Sequence, residues 1–224
     1  MIERANPSKA PTTSMATPQE DQPTEWFDPL YQETDASGSG VPWANMETHP
    51  SFREWLSRNA LDGHGKTALV VGCGMGDDAI ELASRGFAVT AFDVSEAAIG
   101  HCGRRFPDSP VDFRVADLFG SNPQWERRFD FVLEIYTVQA LPPKYEAEVI
   151  GKIANFVCVG GQLLVIAVVA EEERSFESGP PWILTPGHRA AFASHGLEIA
   201  DQFEQVKASR QGHNISVTTF KRLA

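Results

Sequence analysis

At 224 residues and 42% hydrophobic composition, the chain is long enough for one open sheet covered by helices on both faces. Its formal net charge of -11, with no run of more than two Lys or Arg, argues against nucleic acid and against an anionic membrane surface, both of which demand basic residues. The three cysteines, Cys73, Cys102 and Cys158, have neither disulfide nor metal-ligand spacing, so no metal is expected and a cytoplasmic, reducing setting is.

Residues 1–24 carry Pro7, Pro11, Pro18 and Pro23 among Ser, Thr, Gln and charges, without an aromatic residue. Such a segment cannot offset its ordering entropy, so a disordered tail is expected, and it lacks the apolar core of a secretion signal. Residues 25–66 differ in character and read as a helical cover. Trp26, Phe27, Leu30 and Tyr31 have helical spacing, Ser37-Gly38-Ser39-Gly40 is a flexible break, and Pro42-Trp43 follows. Phe52, Trp55 and Leu56 then mark one face of a second helix. These aromatics either close one side of the core or form a lid stacked over ligand.

From residue 67 to 224, strand and helix alternate, the signature of a parallel sheet with crossover helices. Strands are expected at Ala68–Val71, Phe87–Phe92, Val111–Val115, Phe129–Ile135 and Gln162–Val169, the last introduced by Gly160-Gly161. Helices are expected from Asp77 to about Arg85, over Ser95–Arg105 with Ser95 as N-cap, after Pro142-Pro143, and over Pro186–Ser194. Leu197–Val206 and Asn214–Phe220 close the chain as a hairpin. The expected fold is α/β, Rossmann-like and doubly wound: a mostly parallel, seven-stranded sheet with an antiparallel C-terminal hairpin strand.

The first strand runs into Gly72-Cys73-Gly74-Met75-Gly76-Asp77-Asp78, and the second ends in Asp93. In an open sheet, glycines there let a nucleotide approach the backbone, and the acid takes ribose hydroxyls. Asp77 stands where the dinucleotide fingerprint needs its third glycine, and no Gly-Lys-Ser/Thr follows, so phosphate binding is disfavoured. A cationic, phosphate-free adenosine compound such as S-adenosylmethionine suits the acids. A tight turn without ligand is the plainer alternative. Further strand ends supply Val94, Ala116-Asp117-Leu118 and Glu134-Ile135-Tyr136-Thr137-Val138-Gln139, the last where the reacting end of a ligand would lie. Asp117 there can meet the adenine amine with Leu118 against the ring, or simply terminate the strand. Asp93 can likewise be read as a helix cap.

On Gly72–Gly76, Phe92-Asp93-Val94-Ser95, Ala116-Asp117-Leu118 and Phe129–Val132, the chain resembles a class I S-adenosylmethionine-dependent methyltransferase from Trp26 onward. Ala140-Leu141-Pro142-Pro143, Gly179-Pro180-Pro181-Trp182 and the early Trp26, Tyr31 and Pro42-Trp43 make it most similar to the thiopurine and halide/thiol methyltransferase group. That resemblance implies a cofactor site of Gly72, Cys73, Gly74, Gly76, Asp77, Asp93, Val94, Asp117, Leu118 and Glu134. One departure stands out: the broader superfamily carries an acid two residues before the glycine motif, where this chain has Val70. Ammonium contacts must then come from backbone carbonyls or from Asp77 and Asp78.

Methyl transfer from a sulfonium needs positioning and water exclusion more than acid–base help. A small thiol or halide acceptor attacks without a strong base, whereas a hydroxyl needs one. Glu134 and Tyr136 are the catalytic candidates; His188 is a third, read as solvated. Trp26, Tyr31, Trp43 and Trp182 are candidates for an aromatic wall at a small-molecule substrate, although a packed proline loop explains Trp182 equally well. O- or N-methylation of a secondary metabolite, a non-catalytic cofactor-binding module and, more distantly, a nucleotide oxidoreductase are the alternatives. Nothing in the sequence separates a monomer from a homodimer.

Overall fold

The computed structural model describes residues 18–35, 37–171 and 174–223. In chain order these form α1 (Phe27–Gln32), α2 (Pro50–Arg58), β1 (Thr67–Val71), α3 (Asp77–Ser84), β2 (Ala88–Asp93), α4 (Glu96–Arg105) and β3 (Asp112–Val115). β4 (Phe129–Ile135), α5 (Glu146–Phe156), β5 (Val157–Val169), α6 (His188–Ala193), β6 (Leu197–Gln205) and β7 (Asn214–Arg222) follow. The strands lie in the order β3-β2-β1-β4-β5-β7-β6. β1 to β5 run parallel, and β7 inserts antiparallel between β5 and β6. This is the expected Rossmann-like architecture. The strand order reverses between β1 and β4, the place where open α/β sheets open a ligand crevice.

Alternation along the central strands sorts their side chains onto two faces. Leu69, Val71, Val132, Val165 and Ala167 pack under α5 and α6 with Trp125 and Phe192. Ala68, Val70, Phe131, Leu133, Leu164 and Ile166 pack under α2 and α3 with Phe52, Trp55 and Leu82. Because both faces are covered, these strands are apolar throughout rather than alternating. β6 is the sheet edge, and a register shift between Ile199 and Asp201 moves its inward positions from Leu197 on one face to Phe203 on the other.

The helix boundaries follow local chemistry. Pro50 begins α2, and the preceding His49 caps it by accepting the Ser51 N–H. Ser95 caps α4 as expected, its hydroxyl accepting the Ala98 N–H at 3.0 Å. β5 starts earlier than expected, at Val157; Gly160-Gly161 lie inside it, where the register against β4 shifts between Phe129 and Phe131. Residues 1–17 of the expected tail lie outside the described residues. Residues 18–24 form a turn with a Gln19–Gln22 bridge, and Asp21 is paired to Lys144. Among the described residues, no helix is long and apolar enough to cross a membrane.

Candidate functional site

The C-terminal ends of β1, β2 and β4 open into a cavity of 760 Å³, roofed by α1, the loop before α2 and the β6–β7 turn. Its volume lies within the roughly 300–1,000 Å³ of small-molecule sites. The floor is the glycine turn. Gly72, Gly74 and Gly76 have φ of 60, 51 and 89°, a left-handed alternation that non-glycine residues adopt only at a cost. A Cβ on Gly74 would sit 2.8 Å from Tyr31 Oη, so the bare backbone there lets the cover close down on the turn.

Asp93, at the end of β2, ties this turn in place. Its Oδ2 accepts the Gly74 N–H at 2.9 Å and its Oδ1 the Ser95 N–H at 3.0 Å. Burial pushes its carboxyl up, against those amide bonds, which pull it down. Each oxygen keeps a second lone pair for a ligand hydroxyl, so capping and ribose binding are compatible here. Gly72, Cys73, Gly74, Gly76, Val94, Ala116 and Leu118 line the cavity as expected.

Three cofactor candidates are engaged by partners within the protein. Asp77 lines the cavity, yet both its oxygens are bound by Arg105 at 2.7 Å, and Arg105 also donates to the Met75 carbonyl. Its role is to brace the turn against α4. Asp117 is exposed and outside the lining; its Oδ1 accepts the Phe119 N–H at 2.8 Å, an Asx turn ending the strand. Glu134 is fully buried and does not line the cavity either. Its Oε1 accepts the Thr137 and Val138 N–H groups at 2.7 and 3.1 Å, and burial pushes its carboxyl up to about 7. Glu134 therefore shapes the turn after β4 through Oε1, while its buried Oε2 has no hydrogen-bond partner among the described residues.

Tyr136, the other catalytic candidate, does line the cavity, in left-handed conformation at φ 64°. Burial, with the Glu134 charge beside it, pushes its hydroxyl up to about 12, which makes it a hydrogen-bond donor and no base. His188 is not solvated: it is 1% exposed, its Nδ1 bonds the Thr185 carbonyl at 2.7 Å, and it lies outside the cavity lining.

Of the expected aromatic wall, Trp26, Tyr31 and Trp43 line the cavity and Trp182 does not. Trp43 Nε1–H donates to Tyr31 Oη at 2.9 Å, and the Trp26 and Trp43 rings meet edge to face at 5.8 Å. Trp182 is completely buried, stacked on Phe176 with its Nε1–H on the Phe176 carbonyl; Pro180 and Pro181 of the same turn reach the cavity instead. The cover is anchored at the adenosine side. Asp28 of α1 accepts from the Ser95 hydroxyl at 2.7 Å and the Ala97 N–H at 3.0 Å, while His101 Nε2 bonds the Tyr31 carbonyl at 3.0 Å.

Sequence reasoning missed His49, Glu54 and Arg210, which line the opposite end together with Thr137 and Gln139 from the end of β4. It named Asp78 without placing it. Asp78 Oδ1 accepts the His49 N–H at 2.8 Å, its Oδ2 has no hydrogen-bond partner among the described residues, and burial pushes the carboxyl up to about 7. No local pattern marks these positions, because loops far apart in sequence bring them together.

A family model described as a methyltransferase domain matches residues 68–161. The chain is 31% identical over 119 residues to the ubiquinone biosynthesis O-methyltransferase of Aromatoleum aromaticum, covering 52% of this chain and 50% of that protein. It thus spans half the length of that curated relative. Among solved structures, it is similar to the [4+2]-cyclase SpnF, with TM-score 0.74 and 17% identity over 93% of this chain and 98% of that one. It is also similar to the 1,6-didemethyltoxoflavin-N1-methyltransferase of Burkholderia thailandensis, solved with its substrate and S-adenosylhomocysteine. There the TM-score is 0.65 and the identity 16%, over 88% and 86% of the two chains. The fold is that of the class I S-adenosylmethionine-dependent methyltransferases, and the segment matched by the family model runs from β1 into the start of β5.

Proposed function

We propose that this chain is an S-adenosylmethionine-dependent enzyme that methylates a small molecule at a soft nucleophile, a thiol above all. The observation that carries the cofactor assignment is the floor of the cavity: an open glycine turn held by Asp93, flanked by apolar Leu118 and Leu141, with Arg105 consumed by Asp77 and the Asp78 carboxyl beside the turn where a phosphate would need a cation. The residues fit the group. Gly72 to Gly76 offer backbone, Asp93 takes the ribose hydroxyls, and Ala116 and Leu118 take the adenine face. Asp78 supplies the charge for the ammonium, replacing the acid that Val70 lacks.

The bound cofactor supplies an activated methyl group on a sulfonium, so the protein's task is to orient the acceptor and exclude water. α1 and Trp43 close the cavity over the turn. At the acceptor end, Glu134 is turned to backbone amides and Tyr136 keeps its proton. A thiol, which sheds its own proton readily, suits such a wall. A bare halide suits it less, because Asp78 and Glu54 put negative charge on the same surface.

A second reading rests on the unpartnered Asp78 Oδ2, which could take the proton of a hydroxyl acceptor; the O-methyltransferase named above agrees with it. Titration calorimetry with S-adenosylmethionine, S-adenosylhomocysteine and NAD tests the cofactor; binding of NAD alone would overturn the assignment. A panel of thiols, halides, phenols and amines with labelled methyl donor then decides the acceptor.

A further inference from the structure

Two polar atoms on the acceptor-end wall have no task in the account so far: His49 Nε2 and the Tyr136 hydroxyl. Their rings meet edge to face, centroids 5.0 Å apart and planes at 90°. His49 Nδ1 accepts the Ser51 N–H at 3.2 Å, so the neutral ring must carry its proton on Nε2. Burial pushes the imidazole down to about 4 and the Tyr136 phenol up to about 12, which keeps both neutral across the physiological range. Neither His49 Nε2 nor Tyr136 Oη has a hydrogen-bond partner among the described residues, although both side chains line the cavity.

The backbone is arranged to hold them there. Tyr136 sits at φ 64°, a region an aromatic residue occupies only when its surroundings impose it. The buried Glu134 carboxylate supplies that constraint by gathering the next two N–H groups. On the other side, the Asp78 carboxylate fixes the His49 backbone and thereby its ring. Two neutral donors on rings in edge-to-face contact thus border one cavity, from the turn after β4 and from the loop before α2.

We propose that His49 and Tyr136 form a two-donor subsite for a neutral hydrogen-bond acceptor, a carbonyl oxygen or ring nitrogen, on the methyl-accepting substrate. The substrates are therefore carbonyl-bearing or heteroaromatic small molecules. This deepens the methyltransferase reading and rests on it. A carboxylate or phosphate is the wrong partner, since Asp78 and Glu54 line the same wall and Arg210, the nearby cation, donates to the Pro42 carbonyl. A site built to hydrogen-bond its substrate rejects an analogue lacking the partner atom more sharply than an apolar pocket rejects a missing methylene.

The test titrates the protein, saturated with S-adenosylhomocysteine, with 3- and 4-acetylthiophenol and with the matching ethylthiophenols. The better acetyl compound should bind about 10-fold or more tightly than its ethyl counterpart. In Tyr136→Phe, and in His49→Asn, whose shorter amide still caps α2, that ratio should fall to within about 3-fold. Affinity for S-adenosylhomocysteine should stay unchanged in both variants. Equal binding of the acetyl and ethyl compounds, or no binding of either beside bound S-adenosylhomocysteine, overturns the subsite alone. So does a ratio that survives both substitutions. Failure of S-adenosylhomocysteine itself to bind overturns the methyltransferase reading beneath it.

Discussion

The two ends of the cavity are built on opposite plans. At the glycine-turn end, most polar groups are matched within the protein: Asp93 to Gly74 and Ser95, Asp77 to Arg105, Asp28 to Ser95 and Ala97, Tyr31 to Trp43, with Trp26 Nε1 left unpartnered among the described residues. At the acceptor end, His49 Nε2, Tyr136 Oη and Asp78 Oδ2 have no hydrogen-bond partner among the described residues. A matched network rigidifies a surface before ligand arrives, whereas free donors and acceptors keep their hydrogen-bonding capacity for it. The difference separates a scaffold that holds one constant ligand from a wall that selects a particular one.

The sharpest way to break this division is Gly74→Val. Its side chain would meet Tyr31 Oη and impose a left-handed φ on a β-branched residue, a cost of at least ~1–2 kcal/mol before any clash. Affinity for S-adenosylhomocysteine should fall by about 100-fold or more, together with the melting temperature. Affinity within about 3-fold of the parent protein would mean that the cover does not depend on the turn.

Asp78→Asn probes the junction of the two ends. In the free protein its carboxyl titrates near 7, so an ammonium ligand gains its ionic partner as pH rises through that value. Affinity for S-adenosylhomocysteine should therefore rise from pH 6 to pH 8 in the parent protein and stay flat in the variant. The two should differ by about 10-fold at pH 8, near 1.4 kcal/mol. If Asp78 instead serves a hydroxyl acceptor as base, kcat falls and this affinity does not. The same carboxyl sets a stability trend. Unfolded, it ionises near the ordinary 3.8; folded, it holds its proton to about 7. The folded state thus binds the extra proton between those values, and the contribution of Asp78 to stability declines as pH rises across that window. The variant should lose this decline in thermal melts.

The smallest effect is expected for Asp28→Ala, which removes one acceptor shared by the Ser95 hydroxyl and the Ala97 N–H. A loss of about 1 kcal/mol, or roughly 2–4 °C in melting temperature, follows from losing such a cap. Acceptor selectivity should be untouched.

These residues also show what short sequence patterns can carry. Gly72–Gly76 and Asp93 were legible because strand, turn and helix are contiguous and their periodicities are local. Asp117 and Glu134 stay ambiguous in sequence for one reason: a carboxylate at a strand end looks alike whether it faces a ligand or closes the next turn, as both do here. Trp182 is equally open between wall and packed loop, because an aromatic residue in a proline loop can point either way, and here it stacks inward on Phe176. His188, read as solvated, is buried by the packing of α6, which no local spacing records.

The sequence by itself determined the seven-stranded α/β architecture, the antiparallel last strand and the glycine turn beside Asp93, since hydrophobic period, glycine spacing and caps act over a few residues. Only the tertiary structure decided which acids face ligand and which brace turns, and that His49 and Tyr136 meet. Their encounter depends on a loop before α2 and the end of β4 converging across the sheet, and that convergence is a product of packing at long range, where one-dimensional pattern holds no record.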